Sequence, residues 1–218
     1  MAVSAGSRAG GQIGAVVLAG GRAHRLGGAD KPGIRVSGRS LLAMVANAAI
    51  GAGARRVVIV GPPRPDLIAE VVDGGADRIE FTSEQPLGAG PVPALRAGLE
   101  LVTQPRLVLL AADLPFLRDA HLRALLAAAD GQAGGAMLVD GQGHPQWLVS
   151  CWRTASLRSA LDGYQGSSLG GLLGLLRPAE VAISADGGQP PPWLDLDTRE
   201  DVAEALALAR HDNPQTER

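Results

Sequence analysis

Cysteine occurs once in 218 residues, at Cys151, so the chain can form no internal disulfide and carries no cysteine-rich zinc pattern. That usage fits a reducing cytoplasm. Aromatic residues make up only 3% of the sequence although hydrophobic residues reach 46%, so Ala, Leu and Val must supply most of the packing, which favours helices laid against a β-branched sheet. No run approaches the roughly 18 to 20 continuous apolar residues of a transmembrane helix, and the small, polar start of the chain lacks a signal peptide's apolar core. A formal charge of −2 with a pI near 6.1 argues against a dominant electrostatic attraction to nucleic acid or an anionic membrane. The chain is therefore expected to be a soluble cytoplasmic protein, and any phosphate it binds must be held by a local site.

What is present is a βαβ rhythm on the scale of one domain, and a domain of this length can bury about 70% of its unfolded surface. A short apolar strand, Ile13 to Leu18, stops at Gly20-Gly21 and gives way to a polar, glycine-rich loop that lasts to about Pro32. An Ala-rich helix from Ser40 to the Gly51-Ala-Gly53 stop leads to a second buried strand, Arg56 to Gly61. A helix near Asp66 to Val72, a strand at Arg78 to Phe81 and a helix opening at Pro91 follow, then a strong strand, Leu107 to Ala112, with Asp113 directly off its end.

After a helix from Asp119 to Ala129, the runs Ala136 to Val139 and Gln146 to Trp152 flank Asp140-Gly-Gln-Gly143 as a hairpin. Helices near Thr154 to Leu161 and Ser168 to Leu176, a strand near Glu180 to Ser184 and a proline-rich turn lead to a last helix with Thr198 as N-cap, ending at Arg210. This order predicts a three-layer α/β/α fold: a mostly parallel, Rossmann-like sheet with right-handed crossovers and a small antiparallel excursion. It predicts one domain over residues 13–210, a disordered N-terminus over 1–12 and a flexible tail over 211–218.

In such a sheet, ligands bind beyond the carboxyl ends of the strands, where the loop from Ala19 to Lys31 must lie. Gly20 and Gly21 permit close backbone approach, successive N–H groups can cradle phosphate oxygens, and Arg22, Arg25 and Lys31 add positive charge. The spacing is neither that of a P-loop nor Gly-x-Gly-x-x-Gly. Lys31 is the only lysine against nineteen arginines. A compact ammonium on a flexible stem suits a phosphate point contact.

The stretch Leu18-Ala-Gly-Gly-Arg-Ala-His-Arg-Leu-Gly-Gly-Ala-Asp-Lys31 resembles the signature loop of the molybdenum cofactor guanylyltransferases and their NTP-transferase relatives, which share the nucleotide-diphospho-sugar transferase type of fold. The resemblance implies that the glycines, Arg25 and Lys31 bind a triphosphate, with Leu18 and Ala19 beside the base. Gly90-Pro91 matches the start of a family segment near the nucleoside, whereas Pro93 and Ala94 depart from it and Glu84 stands where an aspartate is common. Asp113-Leu-Pro115 is similar to the family's Asp-x-Pro, so Asp113 is expected to hold Mg²⁺.

Asp195-Leu-Asp197 reads as a strand with both carboxylates on one side, and Asp197, next to the capping Thr198, is the better second metal ligand. The region His144 to Trp152 resembles the part that meets the acceptor, and Gln146 is its candidate contact. His144 reads as a surface residue, Cys151 as buried filler, and Trp147, Trp152 and Trp193 as core or hairpin packing.

The resemblance implies an enzyme, a Mg²⁺-dependent nucleotidyltransferase that moves GMP from GTP to molybdopterin carrying molybdenum and releases pyrophosphate. CTP with the same acceptor, a sugar phosphate or phospholactate acceptor, and a nucleotide-binding module without turnover are the alternatives. Transient contact with molybdoenzymes or cofactor-biosynthesis proteins is a further implication. Neither nucleic acid nor membrane is expected as a partner.

Overall fold

The computed structural model of the chain describes residues 13–20, 31–71, 74–183, 190–196 and 198–211. The expected disordered start over 1–12 and the tail beyond His211 lie outside the described residues.

The first strand, β1 (Ile13–Leu18), is buried along its whole length and pairs in parallel with β4 (Arg56–Val60) on one side and β6 (Arg106–Ala111) on the other. A strand with neighbours on both edges and helices on both faces has no use for polar side chains, which is why it reads as an unbroken apolar run. Beyond β4 lies β5 (Ile79–Thr82), also parallel. On the far side, β8 (Pro145–Arg153) pairs antiparallel with β6 and with β7 (Gly135–Val139), and β9 (Ala179–Ala182) pairs parallel with β7. The seven-stranded order is β5-β4-β1-β6-β8-β7-β9, with β8 alone running against the rest.

The expected hairpin is thus present, but its return strand is inserted inside the sheet rather than added at an edge. Its turn is held by Asp140 Oδ1, which accepts N–H bonds from Gln142 and His144, both at 2.8 Å. Gly143 supplies the positive φ of 82° that the turn requires.

Alternation along the strands builds two cores. Ala15, Val17, Val57, Ile59, Val108 and Leu110 pack under α1 (Leu41–Gly51) and α4 (Asp119–Ala128). Val16, Leu18, Val58, Val60, Leu107 and Leu109 pack under α3 (Pro91–Leu101), α5 (Thr154–Gly163) and α6 (Leu169–Leu173). Each large side chain so buried contributes roughly 1.5–3 kcal/mol, which makes the sheet a rigid platform. Gly98 lets α3 press onto it, since a Cβ there would lie 2.7 Å from Val16 Cγ1 and 2.9 Å from Val60 Cγ2.

Between β1 and β5 two regions differ from expectation. The helix awaited over Asp66 to Val72 is a single turn, α2 (Pro65–Ile68). Between the glycine-rich loop and α1 stands an unanticipated two-stranded ribbon, β2 (Arg35–Val36) with β3 (Arg39–Ser40), turning on Ser37 and Gly38 at φ of 50° and 80°. Its residues are mostly polar and too few to show a period. The last helix, α7 (Arg199–His211), closes a third small core with Val36, Leu41, Phe116, Leu196 and Ala205. Thr198 caps it as expected: its N–H donates to Asp201 Oδ2 at 2.7 Å, and the Asp201 N–H donates to Thr198 Oγ1 at 3.1 Å.

Among the described residues, no helix is long and apolar enough to cross a membrane.

Candidate active site

The chain winds from β1 outward through β4 to β5, then returns by α3 to β6 on the opposite side of β1. The reversal opens a crevice at the carboxyl ends of β1 and β6, the position where open α/β sheets bind ligands. Leu18 and Ala19 form its floor. Leu18 O accepts the Ala112 N–H at 3.1 Å and the Ala19 N–H donates to Val60 O at 2.8 Å, so the start of the glycine-rich loop is tied to both neighbouring strands. Gly20 then emerges exposed.

Two residues outside the signature loop shape this turn. Gly61, just past β4, lies so close that a Cβ there would stand 3.0 Å from Ala19 C and 3.1 Å from both Ala19 O and Gly20 N. Glu84, two residues past β5, is 7% exposed, and both its carboxylate oxygens would lie 3.9 Å from a Cβ on Gly20. Its Oε1 accepts the Gly88 N–H at 2.8 Å, which folds the following loop back over the carboxylate. Sequence reading named Glu84 only as a departure from a pattern and Gly61 only as the end of a strand. Neither carries a local signal, because their roles come from a neighbour more than 40 positions away in the sequence.

Lys31 opens a short 3-10 turn, Lys31–Gly33, that leaves the glycine-rich loop. Its Nζ pairs with Asp113 Oδ2 at 2.5 Å, with the two side chains 17% and 16% exposed. Asp113 follows β6 by two residues, so the pair sits over the crevice between β6 and β1. The structure therefore joins the loop's lysine to the carboxylate of the Asp-x-Pro segment, two features 82 positions apart.

Gly90 and Pro91 open α3 on the same edge of the sheet. Gly90 has φ of 106° and ψ of −179°, a conformation reserved for glycine, and a Cβ there would meet nothing within 4 Å. Pro91 and Pro93 have no N–H, so Val92 is the only one of the first three helical residues that could donate to a ligand. Gln146 lies at the amino end of antiparallel β8 and hence also on the carboxyl edge of the other strands, where its Nε2 is 3.4 Å from His144 O.

Gly21, Arg22, Arg25 and Asp197 lie outside the described residues. Asp195 is exposed, and residues 194–196 form an irregular segment rather than the expected strand, so the argument that strand alternation sets both aspartates on one side does not apply. The buried Leu196 instead anchors this segment under α7. Oxygen chemistry nonetheless suits a hard cation at Asp113: Mg²⁺ is held by one or two carboxylates together with substrate phosphates and water, not by a dedicated protein cage. Among the described residues, no group of three or more His, Cys, Asp or Glu side chains converges to form such a cage.

Cys151, His144 and Trp152, set aside in the sequence, behave accordingly. Cys151 is 1% exposed, and burial pushes its thiol up to about 12, which makes it an inert packing residue. His144 is exposed and pairs with Asp140 at 3.1 Å. Trp152 is wholly buried.

A switch point where Gly20 leaves β1 and a lysine meets a carboxylate suits a phosphate-bearing ligand and a hard cation. The model of the MobA-like NTP transferase domain matches residues 15–181, and the chain belongs to that family. It is 33% identical to a molybdenum cofactor guanylyltransferase of Rhodopseudomonas palustris over 91% of this chain and 95% of that one. It is 28% identical to another protein of that name from a Bradyrhizobium strain, over 89% and 92%. A nucleotidyl transferase structure from Methanothermobacter superposes with a TM-score of 0.71 at 17% identity, covering 93% of this chain and 99% of that one.

Proposed function

We propose that the protein transfers GMP from GTP to molybdenum-bearing molybdopterin, forming the guanine dinucleotide cofactor and releasing pyrophosphate. The observation that carries the reading is the convergence of Lys31 and Asp113 over the β1–β6 crevice, joined to near full-length similarity to guanylyltransferases of that name.

The acceptor's terminal phosphate has a second pKa of about 6 and is already largely anionic at neutral pH, so no side chain need act as a nucleophile. An acceptor phosphate oxygen attacks the α-phosphorus in line. The new P–O bond forms as the bond from that phosphorus to the α–β bridging oxygen breaks, and pyrophosphate leaves with the electron pair.

The chain's work is positioning and charge neutralisation. Leu18 and Ala19 seat the base, Gly20 to Arg22 wrap the phosphates, Arg25 and Lys31 offset charge on the departing pyrophosphate, and Gly90-Pro91 borders the nucleoside. Asp113, with Asp197, would hold Mg²⁺, which when bound supplies further neutralisation of the triphosphate. Gln146 lies on the acceptor side. Glu84 favours guanine over cytosine, because a carboxylate can accept from guanine N1–H and N2–H₂ together, whereas cytosine offers only its N4–H₂.

The test is pyrophosphate release from each of GTP, CTP, ATP and UTP with Mg²⁺, with and without purified molybdenum cofactor. Acceptor-dependent release from GTP alone is expected. Release with CTP instead, or with a sugar phosphate as acceptor, would overturn the assignment.

A further inference from the structure

Trp147 sits on the opposite face of the sheet from the one its position in β8 prescribes. Val149 and Cys151 turn into the core under α1 and α4, and strict alternation would send Trp147 there with them. Its indole instead packs in the α3, α5 and α6 core together with Trp152. The cause is a bulge: Met137 of β7 pairs with Ser150, but the next residue, Leu138, pairs with Gln146. Four steps along β8 answer one along β7, and the three extra residues reverse the parity of everything beyond.

A buried relay pins this bulge. Trp152 Nε1–H donates to Ser150 Oγ at 2.7 Å, and Ser150 Oγ–H donates to the Trp147 carbonyl at 2.6 Å. Ser150 and Trp152 are both wholly buried. Bulges beside active sites commonly serve to re-aim a side chain. Here the re-aimed side chain is a half-buried tryptophan on the ligand-binding edge: Leu110 pairs with Val149, which leaves Trp147 two residues nearer that edge, while Asp113 leaves β6 three residues past Leu110.

Helix α6 and the glycine that caps its end are shaped to hold the ring. A Cβ at Gly170 would lie 3.0 Å from Trp147 Nε1, and one at Gly174, a turn further on, would lie 3.9 Å from Cη2. The indole therefore runs along glycine backbone, which fixes its orientation without covering it completely.

We propose that Trp147 sets acceptor specificity: the part of its indole that α6 leaves uncovered stacks on a flat, conjugated ring of the acceptor and directs the acceptor's phosphate toward the α-phosphorus of the bound nucleotide. This rests on the pterin acceptor named above, since a sugar phosphate has no flat, conjugated ring.

Three proteins test it: wild type, Trp147→Phe and Trp147→Leu. In the leucine variant, KM for molybdopterin is expected to rise about tenfold or more, as for loss of one stacking partner, with KM for GTP unchanged. The phenylalanine variant should recover most of that loss, which a merely structural role would not produce. Equal acceptor KM in wild type and a folded leucine variant would overturn the proposal.

A second measurement needs no turnover. A simple pterin phosphate, without nucleotide, should quench tryptophan fluorescence in wild type, and the Trp147 part of that quenching should vanish in Trp147→Phe. Identical quenching in both would also overturn it. Quenching that depends on Trp147, in a protein that transfers no nucleotide to molybdopterin, would sustain the stacking while removing the guanylyltransferase assignment.

Discussion

Lys31 Nζ stands 2.5 Å from Asp113 Oδ2, and more than four-fifths of each side chain is shielded from solvent. The one lysine of the sequence and the carboxylate expected to hold the metal therefore neutralise each other. In the proposed reaction they must exchange partners, the lysine for phosphate oxygens and the carboxylate for Mg²⁺. Lys31→Ala is expected to lower turnover ~10²-fold or more with the circular dichroism spectrum unchanged, because one preorganised contact to developing charge is lost. Asp113→Ala should abolish Mg²⁺-dependent activity. Wild-type rates in the first variant, or an unchanged metal dependence in the second, would remove that residue from the site.

Gly61 offers a test of the crevice floor that touches no charged group. A methyl group at this position would press on the Ala19 and Gly20 backbone at 3.0 to 3.1 Å, where neither neighbour can yield as a flexible side chain does. Gly61→Ala is expected to destabilise the fold by about 1–3 kcal/mol in a denaturant titration, the range for overpacking. It should also raise KM for GTP by an order of magnitude or so. Unaltered nucleotide affinity would mean that this approach does not shape the nucleotide site.

In the proposed reading Glu84 selects the base. Glu84→Gln keeps an oxygen for the Gly88 N–H but replaces one acceptor by a donor, so the loop survives while the pairing with guanine N1–H and N2–H₂ is spoiled. The preference for GTP over CTP in kcat/KM is expected to fall about tenfold to a hundredfold, the discrimination typical of one bidentate base contact. A preference that stays the same in both proteins would place base selection elsewhere.

Glu70 gives the fold an acid-sensitive clamp. The Ser40 backbone N–H donates to its Oε2 at 2.7 Å and holds the carboxyl below the usual carboxylate range, with Arg35 at 2.5 Å acting in the same direction. A folded-state value below the unfolded one means that the stabilisation is fully present above the ordinary glutamate range and is lost as pH falls through the folded value. Thermal melts of wild type and Glu70→Gln should therefore differ by a constant amount near neutral pH and converge in acid. A difference that grows on acidification would contradict the clamp.

The sheet was legible because its central strands are buried on both faces. Runs such as Ile13 to Leu18 and Leu107 to Ala111 announce themselves as continuous apolar stretches, and Ser40, Pro91 and Thr198 mark helix starts by local chemistry that needs no distant partner. The ribbon over 35–40 and the single turn of α2 escaped because so few residues show no period. The strand expected at Asp195 failed because a two-residue alternation cannot tell a strand from a segment anchored by one buried leucine, here Leu196.

By itself the sequence determined the order of the main-sheet strands and the longer helices, the glycine-rich stretch after β1 and the rarity of lysine, all properties of short stretches of chain. Only the tertiary structure decided that Lys31 meets Asp113, that Gly61 and Glu84 close on Gly20, and that a bulge carries Trp147 across the sheet. Each of these is set by strand order and register. Those arise from the burial of two whole sheet faces at once, an energy to which every strand contributes and which no local window of sequence contains.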